Sequence, residues 1–106
     1  MESTNRSPDI DSVLEAITTQ RRRRALRELQ AREADAVDLT ALADALTVQN
    51  EQTPTSEEIA IELHHRDLPK LSETGVVDYD GRSRTVRYHG HRGIELLLYV
   101  LDEEFD

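Results

Sequence analysis

Apolar positions in this chain recur mostly with a helical period, and alternate only over a short stretch near residue 85. Ile10, Val13, Leu14 and Ile17 fall at i, i+3, i+4 and i+7, which predicts a first helix capped by Asp9 or Asp11. Residues 1–8 before it are polar and read as a loose terminus. Thr18 or Thr19 caps a second helix, Gln20 to about Arg32, with Ala25, Leu26 and Leu29 on its core face. Val37 is a candidate edge strand. Thr40 or Asp38 caps a third helix, Ala41 to Thr47, whose stripe is Leu39, Leu42, Ala43 and Leu46. Thr55 to Glu58 matches a capping box and starts a helix running from Ser56 to about Glu73. Its expected buried stripe is Ile61, His64, Leu68 and Leu71, with a kink or break near Asp67–Leu68 because Pro69 has no N–H to bond back to His65. Ile94 to Leu101 reads as a final helix, apolar almost all round.

The stretch Leu68 to His89 organises the rest. Gly75 stops a helix, since it takes the left-handed conformation without a Cβ penalty. Val76 to Tyr79 reads as a strand, Asp80-Gly81 as a hairpin turn, and Thr85 to Tyr88 as the returning strand. Alternation puts Arg84, Val86 and Tyr88 on one face of that strand, and Thr85 and Arg87 on the other. Helix, glycine stop, strand, turn and strand form the second half of a winged helix.

These residues carry a family resemblance. LPKLSETGVVDY is similar to the L-x-x-L-x-x-x-G-hydrophobic-hydrophobic run of arsenic-repressor-like winged helix-turn-helix regulators. RRRRALREL resembles the T-R-x-x-I-L-x-x-L start of their second helix. The likeness extends more closely to a largely uncharacterised winged-helix family of salt-loving archaea. It implies an α+β winged helix-turn-helix, mainly helical, with a two- or three-stranded antiparallel wing and a C-terminal helix. In that fold Val37 pairs with the wing. The domain would span residues 9–90, and residues 91–106 would form a dimerisation helix with an acidic tail. One departure stands out. Val48 to Ser56 is longer than the three or four residues of a tight helix-turn-helix connection.

Composition changes the picture in two ways. The net charge is −9, which argues against a generic nucleic-acid binder. Yet Lys70 is the sole lysine among 13 basic residues, and an acidic, lysine-poor surface looks like adaptation to molar salt. There the Debye length is about 3 Å, so long-range repulsion from phosphates nearly vanishes. The charge is also uneven. Only residues 74–93 are net basic, with four arginines against two aspartates. The chain has no cysteine, no apolar run long enough to span a bilayer and no apolar signal region at its start. A cytoplasmic protein of one small domain is the expectation.

Within that frame, His65 and Arg66 are the candidates for the major groove. Arg82 and Arg84 at the hairpin tip would hold the backbone or minor groove. Lys70, Arg21 and Arg24 would anchor phosphates. The plainer reading of Arg21 to Arg24 is packing on the first helix with the guanidiniums bonded inside the chain. Glu57, Glu58 and Glu62 sit awkwardly on a helix meant for DNA. Ile94, Leu97, Leu98 and Leu101 are the expected seam of a homodimer, finished by Tyr99 and Phe105, as the resemblance implies. The expected partners are therefore double-stranded DNA and a second copy, with no cofactor and no membrane. His64, His65, His89 and His91, with Asp102 and Glu103, follow no recognised metal-ligand spacing. No phosphate-cradling or nucleophile motif argues for catalysis. The rival to a DNA-binding regulator of transcription is a winged helix that serves protein interaction alone.

Overall fold

A computed structural model describes residues 14–15, 17–47, 54–90 and 92–105, with side chains as far as residue 101. Most of the expected first helix, including Ile10 and Val13, lies outside the described residues, as do residues 1–8 and most of the connection after Val48. Leu14–Glu15 are helical, and Ile17 is buried in the core.

Thr19 caps the helix α1, Gln20–Arg32, its hydroxyl accepting from the Arg22 N–H. Ala25, Leu26 and Leu29 form its buried face, as their spacing predicts. Strand β1, Val37–Asp38, leads directly into helix α2, Leu39–Leu46. That helix starts two residues earlier than its sequence suggests, and Asp38 makes no side-chain cap bond there. The wing does the capping instead, since the Leu39 N–H donates to the Arg84 carbonyl at 2.9 Å. Leu39, Leu42, Ala43 and Leu46 are all buried.

Helix α3, Ser56–Glu62, opens with the full capping box, Thr55 accepting from the Glu58 N–H and Glu58 accepting from the Thr55 N–H. The chain then widens into a π-helical turn, Leu63–Asp67, and continues as α4, Leu68–Glu73. The expected kink is therefore a widening. Pro69 cannot donate, and its ring crowds the carbonyl four residues back. A turn in which the Leu68 N–H reaches the Leu63 carbonyl accommodates this without breaking the helix. The buried positions become Ile59, Leu63, Asp67, Leu68 and Leu71. Ile61, expected inside, points outward with 54% of its surface exposed.

Gly75, at φ +83°, ends α4. Strands β2, Val77–Asp80, and β3, Thr85–Tyr88, form the hairpin. The sheet order is β1-β3-β2, antiparallel throughout, with Val37 opposite Val86 and Val77 opposite Tyr88. Val86 and Tyr88 share the inner face as predicted. Arg84 does not join them, because it lies in the turn at φ 58° and is exposed.

Helix α5, Arg92–Phe105, closes the core with Ile94 and Leu98. Each such side chain contributes about 2 kcal/mol by leaving water. Tyr88 joins three elements, accepting from Gln30 Nε2 at 3.1 Å and donating to Glu95 Oε2 at 3.0 Å. Among the described residues no helix is long and apolar enough to cross a membrane.

Candidate nucleic-acid interface

The arginine run is engaged inside the fold. Arg21 pairs with Asp67 and lies 3.8 Å from Glu62. Arg22 is 3.4 Å from Asp67 and donates to the Glu15 carbonyl. Arg23 donates to the Ile17 carbonyl and Arg24 to the Leu46 carbonyl, both at 2.8 Å. A run of four on a helix spreads around the axis at about 100° per residue, so Arg23 and Arg24 reach separate carbonyls while Arg21 and Arg22 converge on Asp67. Arg21 and Arg24, expected as phosphate anchors, thus tie α1 to the π-turn and to the end of α2. Lys70 is likewise drawn to Glu15, its Nζ 3.2 Å from Oε2.

The wing differs. Arg82, Arg84 and Arg87 are exposed, and among the described residues their guanidiniums make no ion pair. The tip is shaped by Asp80, whose carboxylate accepts from the Arg82 N–H at 3.0 Å. Arg84 turns back toward the helices. Together with Leu39, Glu57, Ala60, Ile61, His64 and His65 it lines a cleft of about 260 Å³ between α3 and the wing. Two candidates from the sequence, His65 and Arg84, therefore share one site. Arg66 lies one residue further round, 69% exposed and 3.7 Å from Glu62.

His64 sets the helix against the wing. Its Nδ1 is 2.6 Å from the Tyr79 hydroxyl, with the rings edge-on at 5.7 Å. Burial pushes the Tyr79 phenol pKa up, Arg84 opposes this, and Asp80 adds to it. The phenol therefore holds its proton near neutrality and can donate it to a neutral imidazole. His65 meets His64 edge-on at 4.8 Å.

The three acids of α3 have separate fates. Glu58 completes the capping box, and Glu62 lies between Arg21 and Arg66. Glu57 is exposed, lines the cleft and has no bonded partner among the described residues. Outward-facing Ile61, buried Asp67 and Tyr79 are the site features that sequence reasoning missed, whereas Glu57 is one of the three acids it marks as awkward on a DNA-facing helix. An i, i+4 reading from Ile59 to Leu63 would have turned Ile61 outward.

The terminal helix is also rotated from expectation. Ile94 and Leu98 are fully occupied by this chain's own core, and Leu97 and Leu101 pack partly against it. They are not a free seam. The outward apolar side chains are Leu96, Tyr99 and Val100, at 62%, 65% and 49% exposure. Among the described residues no three acidic or imidazole groups come together to hold a metal ion. His89 is bonded to Asp78 at 2.8 Å.

The architecture is α+β, three antiparallel strands beside a mainly helical core, and is compatible with a winged helix-turn-helix. Residues 14–87 match the family described as Domain of unknown function (DUF7344), and the chain belongs to it. No curated protein and no solved structure matches the chain.

Proposed function

We propose that the protein is a DNA-binding regulator of transcription that sets α3 in the major groove and lays its wing on the neighbouring backbone or minor groove. The observation that carries this reading is the contrast in arginine use. The run on α1 is bonded internally, whereas Arg82, Arg84 and Arg87 stand exposed on the wing without ion pairs among the described residues. Free cations on a hairpin beside a helix are what phosphate contact requires. His65 and Arg66 would face the base edges, and Arg82 and Arg84 would clamp the backbone. In molar salt counterion release contributes little, so hydrogen bonds and shape fit would supply most of the affinity. A homodimer would present two such helices to a two-fold site.

A second reading has an observation of its own. Leu96, Tyr99 and Val100 leave an apolar face on α5, and Glu57 and Glu58 make the start of α3 acidic. A protein-interaction module that leaves DNA alone would use the first and explain the second.

Fluorescence anisotropy on duplexes enriched from a random-sequence library tests the choice, with potassium chloride titrated from about 0.1 M to molar. Selective binding that persists in molar salt, and weakens in the Arg82→Ala/Arg84→Ala variant, supports the regulator. Failure to enrich any duplex at any salt refutes it and favours the interaction module.

A further inference from the structure

We infer, resting on the reading of α3 as the DNA-contacting helix, that Glu57 and Ile61 choose the target sequence, selecting a cytosine one or two base steps from a thymine. Two observations single them out. Glu57 lines the cleft with no bonded partner among the described residues, while Glu58 caps the helix and Glu62 lies between two arginines. Ile61 is 54% exposed on a helix whose other large apolar side chain, Ile59, is buried.

Both line the same cleft as His65 and Arg84, so they face the wing rather than the core. The helix dipole favours an acid in this turn, but the capping box already supplies Glu58 there. An unpaired carboxylate in the cleft it shares with Arg84 is repelled by phosphate and by the acceptor edge of guanine. In the major groove it is matched by the exocyclic amine of cytosine, which donates. An exposed aliphatic side chain beside it has its counterpart in the 5-methyl of thymine. Residues four apart are separated by about 6 Å along a helix axis, against about 3.4 Å per base step. The two bases therefore lie one or two steps apart.

The test starts from the same library enrichment, followed by single-group edits of the selected duplex. In the parent, replacing the cytosine should weaken binding roughly tenfold. Replacing thymine by deoxyuridine removes only the methyl and should weaken it about fourfold. Glu57→Gln should shift the preferred base at the first position from cytosine to adenine, whose N6 and N7 suit an amide. Ile61→Ser should bind the thymine and deoxyuridine duplexes equally. Both positions are exposed, and unchanged melting curves would verify that the variants fold. If a duplex is enriched but both variants respond to the edits as the parent does, the inference falls while DNA binding stands. If no duplex is enriched, the DNA-binding reading falls and the inference with it.

Discussion

Arg22 Nη1 lies 3.4 Å from Oδ1 of Asp67, a carboxylate with no exposed surface. Arg21 bonds the other oxygen from the rim. The pair thus fastens the π-turn of the candidate recognition helix to α1. Removing one member of a buried ion pair costs about 3 to 5 kcal/mol, since the other charge is left without compensation. Asp67→Ala should lower the free energy of urea unfolding by that order. A loss below about 1 kcal/mol would mean that the turn holds without this clasp.

Tyr88 makes stability depend on alkaline pH. Burial pushes its phenol up to about 12 from an ordinary value of 10, with the Gln30 hydrogen bond opposing and the Glu95 bond and charge reinforcing. Between these two values the folded protein binds more protons than the unfolded chain, so stability falls as pH rises. Its contribution is intact below pH 10 and is lost as pH climbs through about 12. Urea midpoints measured from pH 8 upward should decline over that window, and Tyr88→Phe should flatten the decline. An equal decline in the variant would assign it to other groups.

What the sequence discloses here follows from how local each signal is. The cap at Thr19, the stripe of Ala25, Leu26 and Leu29, the capping box at Thr55 and the stop at Gly75 depend only on neighbours within a turn or two. All are readable from spacing and residue type. Pro69 announces a disturbance but not its form, and the resulting π-turn rotates Ile61 out and brings His64 against Tyr79. The burial of Asp67 depends on an arginine 45 residues earlier, which no local pattern reveals. Between Ile94 and Leu101 every position of α5 but Glu95 is apolar, so which face enters the core depends on the rest of the fold. That is why the expected dimer seam and the observed outward face differ.

Arg84 separates stability from function. Its φ of 58° lies in the left-handed region, which disfavours a residue bearing a Cβ by about 1 to 2 kcal/mol. Glycine escapes that strain but loses about 0.5 to 1 kcal/mol in chain entropy. Arg84→Gly should therefore stabilise the hairpin by roughly 1 kcal/mol or less. On the proposed DNA-binding reading it should also weaken binding to an enriched duplex and reduce the salt slope by about one unit, as expected for one lost phosphate contact. Urea unfolding and salt-dependent anisotropy read the two effects. A variant that is both more stable and unimpaired on DNA would remove Arg84 from the interface.

The terminal helix offers a similar division between core and partner. Leu98 is 2% exposed and Leu96 is 62% exposed on the same element. Leu98→Ala should cost about 2 to 5 kcal/mol, because it opens a cavity in the chain's own core. Leu96→Glu with Val100→Glu should leave the core intact, since both side chains face outward. In a homodimer joined through this face, two carboxylates from each copy would meet across the two-fold axis without partners, and association should weaken by at least tenfold. Sedimentation equilibrium in molar potassium chloride, where surface charge is screened, distinguishes the outcomes. A parent dimer that becomes monomeric in the double variant supports pairing through Leu96, Tyr99 and Val100. A dimer indifferent to these changes must pair elsewhere. In that case the half-site spacing on DNA would not be set by α5, because the two-fold axis that fixes it would lie at a different surface.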